Sequence, residues 1–195
     1  LFDYMQRFGF GAKPPIDLPP DELTTSGVRS SGGRLLNAND GVDLGRVAIG
    51  QERLFVTPLQ MATVAATIAN GGVRMEPRLA RLFRDADGRI VKTIPPKVAT
   101  RAISKSTADQ LTKMMTRVVD EGTGTAAQLA GFSVAGKTGT AEVDGGRANQ
   151  AWFIAFAPVD RPRYAIAVTV ERTTGEGGTI AAPIARSVLE SLLQR

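Results

Sequence analysis

The sequence contains no cysteine and no histidine, one tryptophan and two tyrosines among 195 residues. Without Cys or His there can be no disulfide, no thiolate nucleophile, no imidazole general base, no Ser-His-Asp triad, and no zinc site built from those ligands. Any chemistry must come from Lys, Ser, Thr, carboxylates or backbone groups. The absence of Cys suits oxidising and reducing compartments equally, so it does not locate the protein. Long apolar runs are also missing: residues 151–159 and 164–170 are the longest, well short of the roughly 18 residues that would suggest a membrane helix.

What is present is ordinary for a globular chain: 43% hydrophobic, 22% charged, and a net charge of +5. The densest cationic stretch, Arg74, Arg78, Arg81, Arg84, Arg89, Lys92 and Lys97, is broken by Glu76, Asp85 and Asp87. Its one aromatic, Phe83, provides no stacking ladder for a single strand, so it reads as a solvated basic face and no nucleic-acid partner is expected.

Residues 1–8 read as the end of an amphipathic helix stopped by Gly9 and Gly11, and the opening looks like the middle of a longer pattern. The Pro and Gly content of residues 13–47 predicts an irregular loop region. Thr57 as N-cap, Pro58 at the first helical position and Asn70-Gly71-Gly72 as the stop predict a helix within 57–72, so poor in charge that it should be buried all round. A second helix is expected over 106–121, capped by Ser106 and Asp109, with Leu111, Met114, Met115, Val118 and Val119 facing the core. A third follows at 183–194, with Ile184, Val188, Leu189, Leu192 and Leu193 on its inner face. Residues 81–93 read as a hairpin turning at Asp87-Gly88, and residues 132–171 as three antiparallel strands. The fold class is therefore α/β of the α+β type, an antiparallel sheet covered by helices on both faces.

The chemically loaded stretch is Gly131-Phe132-Ser133-Val134-Ala135-Gly136-Lys137-Thr138-Gly139-Thr140. It matches the P-loop pattern GxxxxGK[ST], but a P-loop needs a strand ending at the first Gly and a helix beginning at the Lys. Here helix-like residues come before the motif and Gly-rich residues after it. The other reading puts Lys137 to Thr140 on a strand. Period two then sends the Thr138 and Thr140 hydroxyls to one face and the Lys137 ammonium to the other. Gly139, with no side chain, leaves room for another backbone. Such a strand can take up a peptide by β-augmentation and bind its carboxylate, or it can be a plain edge strand whose Lys deters aggregation. Trp152, beside the strand, either lines the cleft or packs in the core.

Lys-Thr-Gly is also the third signature of penicillin-recognising serine transpeptidases and β-lactamases. The chain resembles the class B penicillin-binding proteins through Phe8-Gly9-Phe10-Gly11, Ala48-Ile49-Gly50-Gln51 and Val56-Thr57-Pro58-Leu59-Gln60-Met61-Ala62. Further matches are Ile68-Ala69-Asn70-Gly71-Gly72, Gly122-Thr123-Gly124-Thr125-Ala126, Gly136 to Ala141, Trp152-Phe153, Phe156-Ala157-Pro158 and Ala181-Ala182-Pro183. The resemblance implies the C-terminal part of a D,D-transpeptidase domain that cross-links peptidoglycan at the extracytoplasmic face of the bacterial membrane, anchored by a segment outside this chain. It further implies a serine acyl-enzyme on D-alanyl-D-alanine stem peptides, trapping by β-lactams, no cofactor or metal, and a membrane glycosyltransferase as partner. On this pattern Lys137 supplies charge and supports proton transfer, and Thr138 and Thr140 bind the substrate carboxylate. Gly139 admits the ligand, and the Thr140 N–H forms half of the oxyanion hole.

The family's two earlier signatures, Ser-x-x-Lys and Ser-x-Asn, do not occur. Three residues before Lys13, Lys92, Lys97, Lys105, Lys113 and Lys137 stand Phe10, Arg89, Ile94, Ala102, Gln110 and Val134. The nucleophilic serine is thus absent from this chain, which by itself is expected to be inactive and to need the N-terminal half of the same transpeptidase. A catalytically dead scaffold with the same fold is the alternative, and a nucleotide-binding P-loop protein is a further one.

Overall fold

Residues 1–194 are described by a computed structural model of the chain. In order they form α1 (Phe2–Arg7), β1 (Gly27–Val28), α2 (Leu44–Ala48), β2 (Leu54–Phe55), α3 (Pro58–Ala69), β3 (Val73–Met75), β4 (Leu82–Arg84), β5 (Ile90–Thr93) and β6 (Val98–Arg101). There follow α4 (Lys105–Asp120), β7 (Ala135–Val143), β8 (Ala148–Ala157), β9 (Tyr164–Thr173), a π-helical turn at Gly177–Ala181, and α5 (Ala182–Leu193). No helix is long and apolar enough to cross a membrane among the described residues.

The core is organised by β8, the middle strand of the antiparallel sheet β7-β8-β9. Strand alternation divides its side chains between two faces. Phe153, Ala155 and Ala157 face α5, where they meet Ala182, Ala185, Leu189 and Leu193. Ile154 and Phe156 face the other way, against Ala65 and Ile68 of α3 and Met115 of α4. Because Ala155, Ala157, Ala182 and Ala185 are all fully buried, helix and sheet come close together, and Phe153 and Leu189 fill what space remains. Burying one side chain such as Leu189 contributes about 2 kcal/mol of transfer free energy.

The α+β architecture with helices on both faces is the one the sequence predicts, but several of its details differ. Within the predicted 57–72 segment, Thr57 caps α3 by accepting from the Gln60 N–H at 3.1 Å. The helix is not buried all round: Pro58 and Ala66 are exposed and residues 61–64 only half-buried. Uniform apolarity there reflects a shortage of charge, not cover on every side by the described residues. Helix α4 is capped by Ser104, which accepts from the Thr107 N–H at 3.0 Å, so Ser106 and Asp109 lie inside the helix. Along the same helix Met114 is 56% exposed, while Met115 and Val119 are buried. On α5 the inner face is Ala182, Ala185, Leu189 and Leu193, leaving Ile184 and Val188 on the solvent side. The small Ala side chains win that face because only they permit the close approach to β8. The predicted irregular region 13–47 carries β1 and the start of α2. Between these, the Arg34 guanidinium and the Asn37 N–H hold the Asp40 carboxyl below its ordinary pKa.

The β4–β5 hairpin turns at Asp87-Gly88, where the Asp85 carboxylate accepts from the Asp87 and Arg89 N–H groups at 3.0 and 2.9 Å. Asp85 is therefore a turn residue.

The α5 assignment is open to a direct check by denaturant unfolding. Leu189→Ala should cost about 2–5 kcal/mol, whereas Val188→Ala, on the same helix but 41% exposed, should cost less than about 1 kcal/mol.

Candidate active site

Strand β7 is an edge strand of the three-stranded sheet, and its register decides where the Lys-Thr-Gly side chains go. Lys137 pairs with Ile154, Thr138 with Phe153, Gly139 with Trp152 and Thr140 with Ala151. Paired residues share a face. Lys137 and Gly139 therefore lie on the α3 side with Trp152 and Ile154, while Thr138 and Thr140 lie on the α5 side. This is the period-two separation of ammonium and hydroxyls expected from sequence. No helix begins at Lys137, which sits within a strand, so the P-loop reading fails on geometry: the phosphate-binding turn it requires is absent.

On the hydroxyl side, the segment after β9 closes over the strand. Thr138 Oγ1 lies 2.7 Å from Thr123 Oγ1, and Thr140 Oγ1 accepts from the Gly177 N–H at 3.3 Å. Residues 172–179, rich in glycine, border the strand on this side. In the structure Glu176 and Thr179 form a reciprocal capping box, and the Asn149 amide donates to the Gly175 carbonyl at 3.5 Å. Gly177 here serves close approach. A Cβ on Gly177 would collide with the carbonyl oxygens of Trp152 and Gly139. The room left by Gly139 is thus taken on one side by Gly177, and on the other by Trp152, whose Cβ a side chain at Gly139 would meet at 3.2 Å.

On the ammonium side there is a cavity of about 680 Å³, bounded by Lys137, Trp152, Ile154, Met61, Phe10 and the segment from Ile49 to Val56. Trp152 lines it. The Lys137 Nζ donates to the Thr138 carbonyl at 2.8 Å and is otherwise exposed. From across the cavity the Gln51 amide reaches the Thr140 carbonyl at 3.5 Å. Both carbonyls therefore point away from β8. In an antiparallel ladder a residue directs its N–H and C=O to the same side, so the Thr140 N–H also faces the open edge. An unpaired N–H there, beside an ammonium and above a cavity, can stabilise an oxyanion or pair with an extended peptide.

Sequence reasoning singled out Lys137, Thr138, Gly139, Thr140 and Trp152, and the structure brings all five to one strand pair. It did not assign a role to Thr123 or Gln51, which meet β7 from 15 and 89 residues away. Their only trace in the sequence was membership of the Gly122-Thr123-Gly124 and Gly50-Gln51 pieces.

An antiparallel sheet between helices, with the Lys-Thr-Gly segment on an edge strand over a cavity, is the fold of the penicillin-binding transpeptidase domains. The profile of the penicillin binding protein transpeptidase domain matches residues 1–190, and the chain belongs to that family. It is 38% identical over 186 residues to the peptidoglycan D,D-transpeptidase PbpA of Mycolicibacterium smegmatis, covering 92% of this chain and 37% of that protein. It is 34% identical over 202 residues to stage V sporulation protein D of Bacillus subtilis, covering 99% and 30%. Among solved structures, PBPA from Mycobacterium tuberculosis superposes with a TM-score of 0.82 at 35% identity, over 99% of this chain and 45% of that one. The penicillin G acyl-enzyme complex of penicillin-binding protein A from M. tuberculosis gives 0.80 at 37% identity, over 99% and 42%. The chain thus spans well under half the length of the relatives it matches.

The packing of Gly177 on β7 generates a test. Gly177→Ala should destabilise the protein by about 1–3 kcal/mol through overpacking, measured by thermal unfolding. Gly32→Ala, whose Cβ would meet only Ser30 Oγ at 3.9 Å, should shift stability by less than about 0.5 kcal/mol.

Proposed function

We propose that this chain forms the Lys-Thr-Gly part of a peptidoglycan D,D-transpeptidase that works through a serine acyl-enzyme. The observation that carries this reading is the open edge of β7, where the Lys137 ammonium and the outward Thr140 N–H flank one cavity. The stem peptide enters as an extended segment along that edge, the most economical way to satisfy its backbone groups. Its carbonyl oxygen, becoming negative on attack, is stabilised by the Thr140 N–H. Removing one such donor typically costs about 10²–10³ in rate. The Lys137 ammonium offsets the charge of the substrate carboxylate and helps move the proton of the attacking serine, while Thr138 and Thr140 supply hydroxyl donors.

The serine itself belongs to a region outside residues 1–195, in keeping with the greater length of the relatives. The acyl-enzyme is then resolved by an amine of a second stem peptide, and a β-lactam imitates the donor. The penicillin G acyl-enzyme of the similar M. tuberculosis protein supports β-lactams as ligands. In this reading, acting on peptidoglycan, the protein works at the extracytoplasmic face of the membrane, beside a membrane glycosyltransferase that makes the glycan strands. The lack of Ser-x-x-Lys within this chain favours one rival, an inactive scaffold of the same fold.

Fluorescent penicillin separates the two readings. The polypeptide including its upstream region should be labelled covalently, and residues 1–195 alone should not. Labelling of neither supports the scaffold. In the longer polypeptide, Lys137→Ala should slow acylation about 10²-fold with little change in unfolding midpoint, because the side chain is exposed. An unchanged rate would remove Lys137 from the mechanism.

A further inference from the structure

The open edge of β7 is not bare. Two of its outward carbonyls have a side-chain donor: Thr138 takes the ammonium of Lys137 at 2.8 Å, and Thr140 takes the Gln51 amide at 3.5 Å. The two bonds differ in kind. The first is a short, charge-assisted contact from the neighbouring residue on the same strand. The second comes from 89 residues away and lies at the limit of hydrogen-bond distance, so it is weak and easily broken.

The backbone beneath Gln51 is firmly set. Its N–H donates to the Arg46 carbonyl at 3.0 Å, tying it to the end of α2. Gly50 and Glu52 on either side both have positive φ, +80° and +66°. For Glu52 that is an unfavourable conformation, held while its carboxylate reaches Arg46 at 3.7 Å and Arg53 at 3.4 Å. The long side chain therefore crosses the cavity mouth from a fixed base, and only its amide end is free to swing away.

Resting on the transpeptidase reading above, we infer that Gln51 is a displaceable cover on the Thr140 carbonyl, a positioning residue that an incoming ligand must replace with an N–H of its own. An extended peptide added antiparallel to β7 brings a backbone N–H to that carbonyl, as does a β-lactam carrying an acylamino group next to its ring. A ligand with no N–H at that point leaves the amide in place and breaks nothing. The cover thus offsets part of the advantage that an amide at this position of the donor would otherwise gain, and its removal widens the preference for such a ligand. Between turnovers it also keeps an unpaired edge from joining another strand.

The experiment uses the full-length protein with its serine-bearing region and two probes. Benzylpenicillin has the acylamino N–H; sulbactam, a penam sulfone, has no substituent at that carbon. In Gln51→Ala the second-order acylation rate by benzylpenicillin should rise about twofold to threefold, the low end for one hydrogen bond, while that by sulbactam stays within about 1.5-fold. Gln51→Met keeps the length without the donor and should behave the same way, deciding the matter if the Ala variant folds poorly. An unchanged or slower benzylpenicillin rate in both variants overturns the inference, as does an equal rise for both probes, which would mean the cavity mouth has merely widened. If neither probe acylates the unaltered protein, the transpeptidase reading itself fails.

Discussion

The antiparallel register between β7 and β8 sets the direction of every group in the site. A slip of one residue would carry the Lys137 side chain to the α5 face and turn the Thr138 and Thr140 hydroxyls to the α3 face. The slip is prevented because the buried start of β7 is fitted to unlike faces of β8: Gly136 lies against the Phe153 ring on the α5 side, where any Cβ would collide, while Ala135 packs with Ile154 and Phe156 on the other. Core packing therefore specifies which way an exposed lysine points, although the lysine contributes nothing to the core.

The two sides of β7 do different work. On the hydroxyl side the chain itself closes in, Gly177 lying against the Gly139 and Trp152 peptides and Thr123 meeting Thr138. On the ammonium side the chain stands back and leaves a cavity with Trp152 as one wall. A rigid support on one face and open space on the other are what an edge strand needs in order to hold its backbone groups ready for a ligand. Preorganised donors of this kind need no rearrangement at the moment of reaction.

Much of this could be read from residue order. The separation of Lys137 from Thr138 and Thr140 follows from period two, and α3 could be placed from Thr57, Pro58 and Asn70-Gly71-Gly72 because capping chemistry is local. Helix faces were harder. Ile184 and Val188 are more hydrophobic than Ala182 and Ala185, yet the alanines are inside, since the distance between helix and sheet outweighs hydrophobicity and that distance is a tertiary property. Ser104 was overlooked as a cap in favour of Ser106 because both are plausible locally and only the core register of α4 chooses between them. Gln51 and Thr123 were beyond reach for the same reason: contacts spanning many residues leave no periodic trace.

The β4–β5 hairpin has a practical use of another kind. Its strands pair only with each other, its tip from Asp85 to Arg89 is exposed, and its turn is closed by hydrogen bonds to the Asp85 carboxylate. Tips of this sort tolerate inserted sequence. A small epitope grafted between Asp87 and Gly88 would leave the sheet and cavity undisturbed, giving microscopists a handle that does not burden either chain terminus.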